Sequence, residues 1–120
     1  MGYRSNVAYI IKFKTMQDRD AYVSLWLAKN DNLAAQVVDE VSHNHDRDPI
    51  ITFKADDVKW YEAYPEVQAH TEFYHQACEL FDASYRFVAI GEDGQETYDG
   101  YNDNDLYDYI YAEHRLHTSF

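Results

Sequence analysis

Basic residues, cysteines and long apolar runs are scarce in this chain, and each scarcity closes off a class of protein. Cys78 is the only cysteine, so no intramolecular disulfide can form and a reducing setting is expected. No apolar run approaches the ~18 residues of a bilayer span, and the start carries no charged-then-apolar signal pattern. The expectation is a soluble, cytoplasmic chain. Ten Lys and Arg stand against 22 Asp and Glu, a formal net charge of −12. Nucleic acid and anionic lipid carry the same sign and are repelled; basic protein surfaces are the natural partners. The common signatures of catalysis are missing as well. There is no G-x-S-x-G, no dinucleotide fingerprint, and "GEDGQET" (Gly91 to Thr97) has neither the spacing nor the lysine of a phosphate-binding loop.

What remains is 120 residues, 46% hydrophobic and including twelve tyrosines, enough for the core of a single domain over residues 1–120. "VAYIIKFK" (Val7 to Lys14) sets Val7, Tyr9, Ile11 and Phe13 on one side, while Ala8 and Ile10 keep the other side apolar, the pattern of a central strand. Thr15 and Asp18 form a capping pair that opens a helix near Met16, with Ala21, Tyr22, Leu25, Trp26 and Ala28 at helical spacing. Asn30 to Asn32 interrupt it, and Leu33, Ala34, Val37, Val38 and Val41 make a second apolar stripe. "HNHDRDP" (His43 to Pro49) is a polar loop ended by proline. "IITF" (Ile50 to Phe53) and "VKWY" (Val58 to Tyr61), around Ala55-Asp56-Asp57, read as a hairpin. Pro65 and Glu66 open a helix whose face is Val67, His70, Tyr74, Ala77, Cys78 and Phe81 and which ends near Asp82. "YRFVAI" (Tyr85 to Ile90) is a strand closed by the turn "GEDG", and the alternation of Tyr107, Tyr109 and Tyr111 favours one more strand. The order matches an α+β, ferredoxin-like βαββαβ antiparallel sheet with its helices on one face and an acidic, tyrosine-rich C-terminal strand extension.

Three blocks in order, "MGYRSNVAY" at the start, "DVKWYEAYPEVQ" (Asp57 to Gln68) and "YRFVAIGED" (Tyr85 to Asp93), resemble a group of small uncharacterised proteins from phages and prophage-carrying bacterial genomes. The resemblance implies a phage context, with no activity or catalytic residues attached to it.

The most unusual stretch is "YDGYNDNDLYDYIYAE" (Tyr98 to Glu113), with five tyrosines, five acids and no base in sixteen residues. From Phe87 to His114 the acids are Glu92, Asp93, Glu96, Asp99, Asp103, Asp105, Asp108 and Glu113, with no Lys or Arg among them. A mobile solvated tail is one reading. The other is a folded binding surface, since the tyrosines, Leu106 and Ile110 offer more apolar area than disordered acidic tails carry. On a strand, carboxylates two residues apart stand about 6.6 to 6.8 Å apart, near the spacing of successive phosphates, a condition that Asp103 and Asp105 meet if the strand starts early. Tyrosines supply rigid contact area, and partner arginines can pair with carboxylates while stacking on rings. The candidate partner-binding residues are therefore Glu92, Asp93, Glu96, Asp99, Tyr101, Asp103, Asp105, Tyr107, Asp108 and Tyr109. The function they suggest is a DNA-mimicking inhibitor that occupies the basic groove of a host nucleic-acid-binding enzyme such as a CRISPR effector, restriction enzyme, nuclease or polymerase. The alternatives are an acidic interaction module without mimicry and a metal-dependent enzyme.

The metal reading draws on His43, His45, Asp46 and Asp48, but no four-ligand spacing, cysteine pair or His-Glu-x-x-His supports it. His70 and His75 diverge around a helix, and His114 and His117 fall on opposite faces of a strand. "DGYNDND" (Asp99 to Asp105) lacks the glycine and closing glutamate of an EF-hand loop. No metal, cofactor or catalytic residue is expected. Cys78 and His75, at i and i+3, could pair as nucleophile and base, but an apolar helix face favours an inert buried thiol. Trp60 and Tyr61 could stack bases, but the charge favours packing instead.

Overall fold

The computed structural model describes residues 3–113 and 115–120; Met1, Gly2, His114 and the side chain of Glu113 lie outside the described residues, and with them the start of the "MGYRSNVAY" block and the pairing considered for His114. β1 (Ser5–Lys12) is followed by α1 (Met16–Leu27), α2 (Asn32–Glu40), β2 (Ile50–Val58), α3 (Pro65–Phe81), β3 (Ser84–Gly91) and β4 (Glu96–Tyr101). A single 3-10 turn at Asn104–Leu106 then leads into β5 (Ile110–Glu113) and β6 (Arg115–Thr118). Four strands make one antiparallel sheet in the order β2-β1-β3-β4, and β5 and β6 pair as a separate antiparallel hairpin.

Local chemistry accounts for the element ends. The Thr15 hydroxyl accepts the Asp18 N–H at 3.1 Å and starts α1, and the Asp31 carboxylate accepts the Leu33 N–H at 3.1 Å and starts α2. Asn30, with φ of 54°, turns the chain between them. Pro65 occupies the first turn of α3, and Asp82 ends that helix in the left-handed region. The Met16 start, the break at Asn30 to Asn32 and the Asp82 end are where the sequence places them. The stripe expected on α1 is partly wrong: Tyr22 and Trp26 are buried together with Arg19 and Val23, while Ala21, Leu25 and Ala28 are exposed.

The sheet is buried on both faces. Val7, Tyr9, Ile11 and Phe13 point to the helical side, where they meet Tyr22, Trp26, Val37, Phe73 and Tyr74 in one aromatic-rich core. Ala8, Ile10, Ile50 and Val88 point the other way, onto Leu106 and Ile110. All three helices of the described residues contribute buried residues to the first core, and the β5–β6 hairpin covers the second.

Two expectations need correction. Ile50 to Phe53 and Val58 to Tyr61 are not two strands of a hairpin: Ile50–Val58 is one strand. The turn signal in Ala55-Asp56-Asp57 is spent on a bulge, where Asp57 takes a φ of 56° opposite the register shift between Ser5 and Val7 and donates its N–H to Asn6 Oδ1 at 2.8 Å. The chain is thus a mixed α/β protein with strands flanking β1 on both sides, and its element order is not clearly the ferredoxin-like one. The tyrosine-rich segment, moreover, is not one terminal strand. It supplies the edge strand β4, the 3-10 turn and β5, the last on the opposite face of the sheet.

Candidate functional site

The acidic segment is organised around Arg86, the residue just before the base-free stretch. Arg86 sits on the hairpin side of β3 and is 5% exposed. A buried guanidinium must have its charge and donors met, and the segment meets them. Nε donates to the Ile110 carbonyl at 3.0 Å, Nη1 donates to Asp103 Oδ2 at 3.2 Å, and the Tyr107 and Tyr98 rings lie 4.2 and 5.3 Å from Cζ. Leu106 and Ile110, both fully buried, pin the chain on either side of that contact. The folded reading of Tyr98 to Ile110 is therefore the structural one, and a solvated tail is not.

This arrangement sorts the candidate residues. Asp103 is bound inward, its side chain 23% exposed and paired with Arg86. It lies before a 3-10 turn, so Asp103 and Asp105 do not form the strand-spaced carboxylate pair that the sequence suggested. Tyr109 is half-buried against the second core, and Tyr107 divides itself between Arg86 and solvent at 53% exposure. Asp105 and Asp108 are exposed. Glu96 and Asp99, also exposed, lie on opposite faces of β4: Glu96 accepts the Tyr98 hydroxyl at 2.6 Å, and Asp99 accepts the Gly100 N–H at 2.9 Å. Tyr101 closes β4, about half exposed. Glu92 accepts the Arg4 N–H at 3.2 Å, and Asp93 accepts the Tyr3 hydroxyl, which holds the Asp93 carboxyl below the usual carboxylate range. Among the described residues the outer surface from Glu92 to Asp108 carries carboxylates and tyrosines, while the Arg86 guanidinium is consumed inside and those of Arg4 and Arg115 lie at its Glu92 end.

On the helical face, β4 and α3 bound a groove of about 800 Å³, with Trp60 and Tyr74 at its base and Glu62, Glu72, Glu79 and Asp99 around it. This groove was not legible along the chain, because its walls come from segments far apart in sequence. His75 Nε2 is 3.1 Å from the Tyr85 hydroxyl and 3.7 Å from Asp99 Oδ2, which ties α3 to the sheet edge. Burial first, and then the contact with Asp99, push the Tyr85 hydroxyl up from its ordinary value.

The other candidates resolve into packing. Cys78 is half-buried and directs its thiol at the Tyr74 carbonyl, 3.5 Å away, while His75 is engaged with Tyr85, so no nucleophile–base pair is assembled. Burial pushes the thiol up to about 11. Trp60 packs between Phe53, His70 and Phe87, at ring distances of 5.7, 5.5 and 6.2 Å. Tyr61 accepts the Tyr3 N–H and packs on Tyr64. His45 bonds Thr52 at 3.0 Å, and its carbonyl accepts from buried Arg19, which fastens the His43 to Pro49 loop to α1. Among the described residues no three His, Cys, Asp or Glu side chains come together as a metal would require.

One buried polar chain escaped sequence reasoning. His70, 2% exposed, bridges Tyr9 and Glu40: a carboxylate only accepts, so Nε2–H donates to Glu40 Oε1 at 3.0 Å, and Nδ1 accepts the Tyr9 hydroxyl at 2.7 Å. Burial lowers the His70 pKa, opposed in part by Glu40, and the neutral ring serves as a satisfied core group.

Fold and surface together define an acidic α/β protein whose edge strand β4 and the following segment through Asp108 carry carboxylates and no Lys or Arg. No family model matches the chain, and neither a curated protein nor a solved structure matches it. No helix among the described residues is long and apolar enough to cross a membrane.

Proposed function

We propose that the protein is an acidic inhibitor that occupies the basic groove of a nucleic-acid-binding enzyme, taking the place of the nucleic acid. The observation that supports it most is the division of charge around Arg86. The base that directly precedes the acidic segment, Arg86, is buried and used to hold the segment in shape, so the exposed carboxylates Glu96, Asp105 and Asp108 stand on an ordered frame and make no ion pair among the described residues, while Asp99 faces His75 and Glu92 lies beside Arg4 and Arg115. Ordered charge loses less entropy on binding than a mobile tail and steers a basic partner from a distance. The carboxylates are scattered over a strand edge, a turn and a loop, so any resemblance to a phosphate backbone is one of charge density and not of regular spacing. The phage context implied by the sequence resemblance suggests a host defence enzyme, such as a CRISPR effector or restriction enzyme, as the target. No catalytic role is part of this reading, and the host cytoplasm is where it would operate.

A plain acidic binding module, attaching to a basic protein without displacing nucleic acid, is the competing reading. Competition separates the two. The partner is captured from host lysate at low salt, and a short duplex is then titrated against the complex. Under the inhibitor reading, duplex and protein exclude each other, and affinity falls steeply between about 50 and 200 mM salt. A stable ternary complex of protein, partner and duplex would leave only the plain module.

A further inference from the structure

The edge strand β4 carries an inference about how the partner is held, and it rests on the reading of the protein as a binder of basic proteins. β4 is the last strand of the sheet, and all six of its residues are exposed. The Gly91 N–H donates to the Gln95 carbonyl at 2.8 Å, which makes that pair a hydrogen-bonded one. Antiparallel ladders alternate, so in the register Ala89↔Thr97 and Phe87↔Asp99 the N–H groups of Thr97 and Asp99 turn inward to β3. Those of Glu96, Tyr98 and Gly100 turn outward. The Gly100 N–H is met by the neighbouring Asp99 carboxylate, as expected for an outward group without a strand beside it.

Edge strands in soluble proteins are usually blunted by lysine, proline or a covering segment. Glu96–Tyr101 contains neither lysine nor proline, and among the described residues no strand pairs with its outer side. Its only protection is negative charge. That charge opposes a second copy, whose Glu96 and Asp99 would be brought against their own kind, because like charges across a strand pair are destabilising. It favours a strand that carries Lys or Arg. The two faces of β4 offer different reception for alternate side chains of such a strand. Glu96 and Tyr98 are on the hairpin face, and Asp99, with the groove bearing Glu72 and Glu79, is on the helical face.

We infer that β4 accepts an extended basic segment of the partner protein as a fifth strand, with main-chain hydrogen bonds supplying affinity and the acids on both faces selecting Lys and Arg. The test uses the full chain, labelled for amide detection, and a capped peptide of about six residues with alternating Lys and Val, a length matched to an ordinary strand. A second peptide has the same sequence but is N-methylated at alternate residues on its pairing edge, which preserves charge and removes donors. Strand addition predicts that the first peptide slows hydrogen exchange at Glu96, Tyr98 and Gly100, and that N-methylation weakens binding about tenfold or more, since it removes main-chain hydrogen bonds on the pairing edge. Equal binding of the two peptides, with exchange at those three amides unchanged, overturns strand addition while leaving the acidic binder intact. Failure of both peptides to bind at low salt overturns both readings, and dimerisation of the free chain with the same three amides protected overturns the choice of occupant.

Discussion

The two faces of the sheet are buried by different means. On the helical side, three helices lay down a continuous aromatic core in which Tyr22, Trp26 and Phe73 pack at ring distances between 4.8 and 6.3 Å. On the other side, the 3-10 turn and the β5–β6 hairpin cover Ala8, Ile10 and Val88 with two fully buried residues, Leu106 and Ile110, held in place by the Arg86 guanidinium of β3. The first face is closed by hydrophobic area and the second by a few specific anchors. Loss of one contact is therefore absorbed on the helical side as a stability penalty. On the hairpin side it should release a whole acidic segment.

The largest effect expected is from Phe73→Ala. Phe73 is fully buried between α1 and the sheet, and a truncation of this kind costs about 3–5 kcal/mol, measured by denaturant titration. Ile110→Ala should cost less, about 2–3 kcal/mol, because its cluster is smaller, but its signature is local. Amide exchange should quicken through residues 103–118 while β1 and β2 stay protected; uniform loss of protection would mean that the two faces unfold as one unit.

Asp103→Asn comes next, at about 1–2 kcal/mol, because it removes a charge-assisted bond from a buried guanidinium. Asp103 thus cannot serve as an innocent charge mutation. On the helical face, acidification acts through His70. The His70 pKa is lowered on folding, so the unfolded chain takes up the proton first, and stability is present above the ordinary histidine value and declines as pH falls below about 6.5. Tyr9 on β1 and Glu40 on α2 face the ring directly, and His70→Gln should flatten that part of the profile. An unchanged slope would assign it to other groups. The smallest effect belongs to Asp105→Asn with Asp108→Asn, expected within about 0.5 kcal/mol of the parent because both are exposed. Their effect should appear instead as weaker binding to the basic partner.

Much of the helical side was legible in the sequence. Thr15, Asp31, Pro65 and Asp82 punctuate helices through local hydrogen bonds and backbone angles, and Val7 to Phe13 alternate because one strand must satisfy two faces. The apolar Ala8 and Ile10 also implied that something covers the far side. What covers it was not legible, because Leu106 and Ile110 are isolated anchors without a period. Asp57 misled for a related reason: a left-handed residue serves a bulge as well as a hairpin turn. At the candidate site, the charge segregation could be read directly. The role of Arg86 could not, since it lies one residue outside the stretch that its side chain organises.

Both tryptophans of the chain, Trp26 and Trp60, lie on the helical side. Among the described residues the hairpin side carries tyrosines, Tyr98, Tyr107 and Tyr109 among them, and Phe120, but no tryptophan. Indole emission is therefore an optical label for one layer, provided by the sequence itself. A protein that had shed its acidic segment from the sheet would still emit like the native one, and screening of variants by tryptophan fluorescence would pass molecules whose binding surface had already come apart.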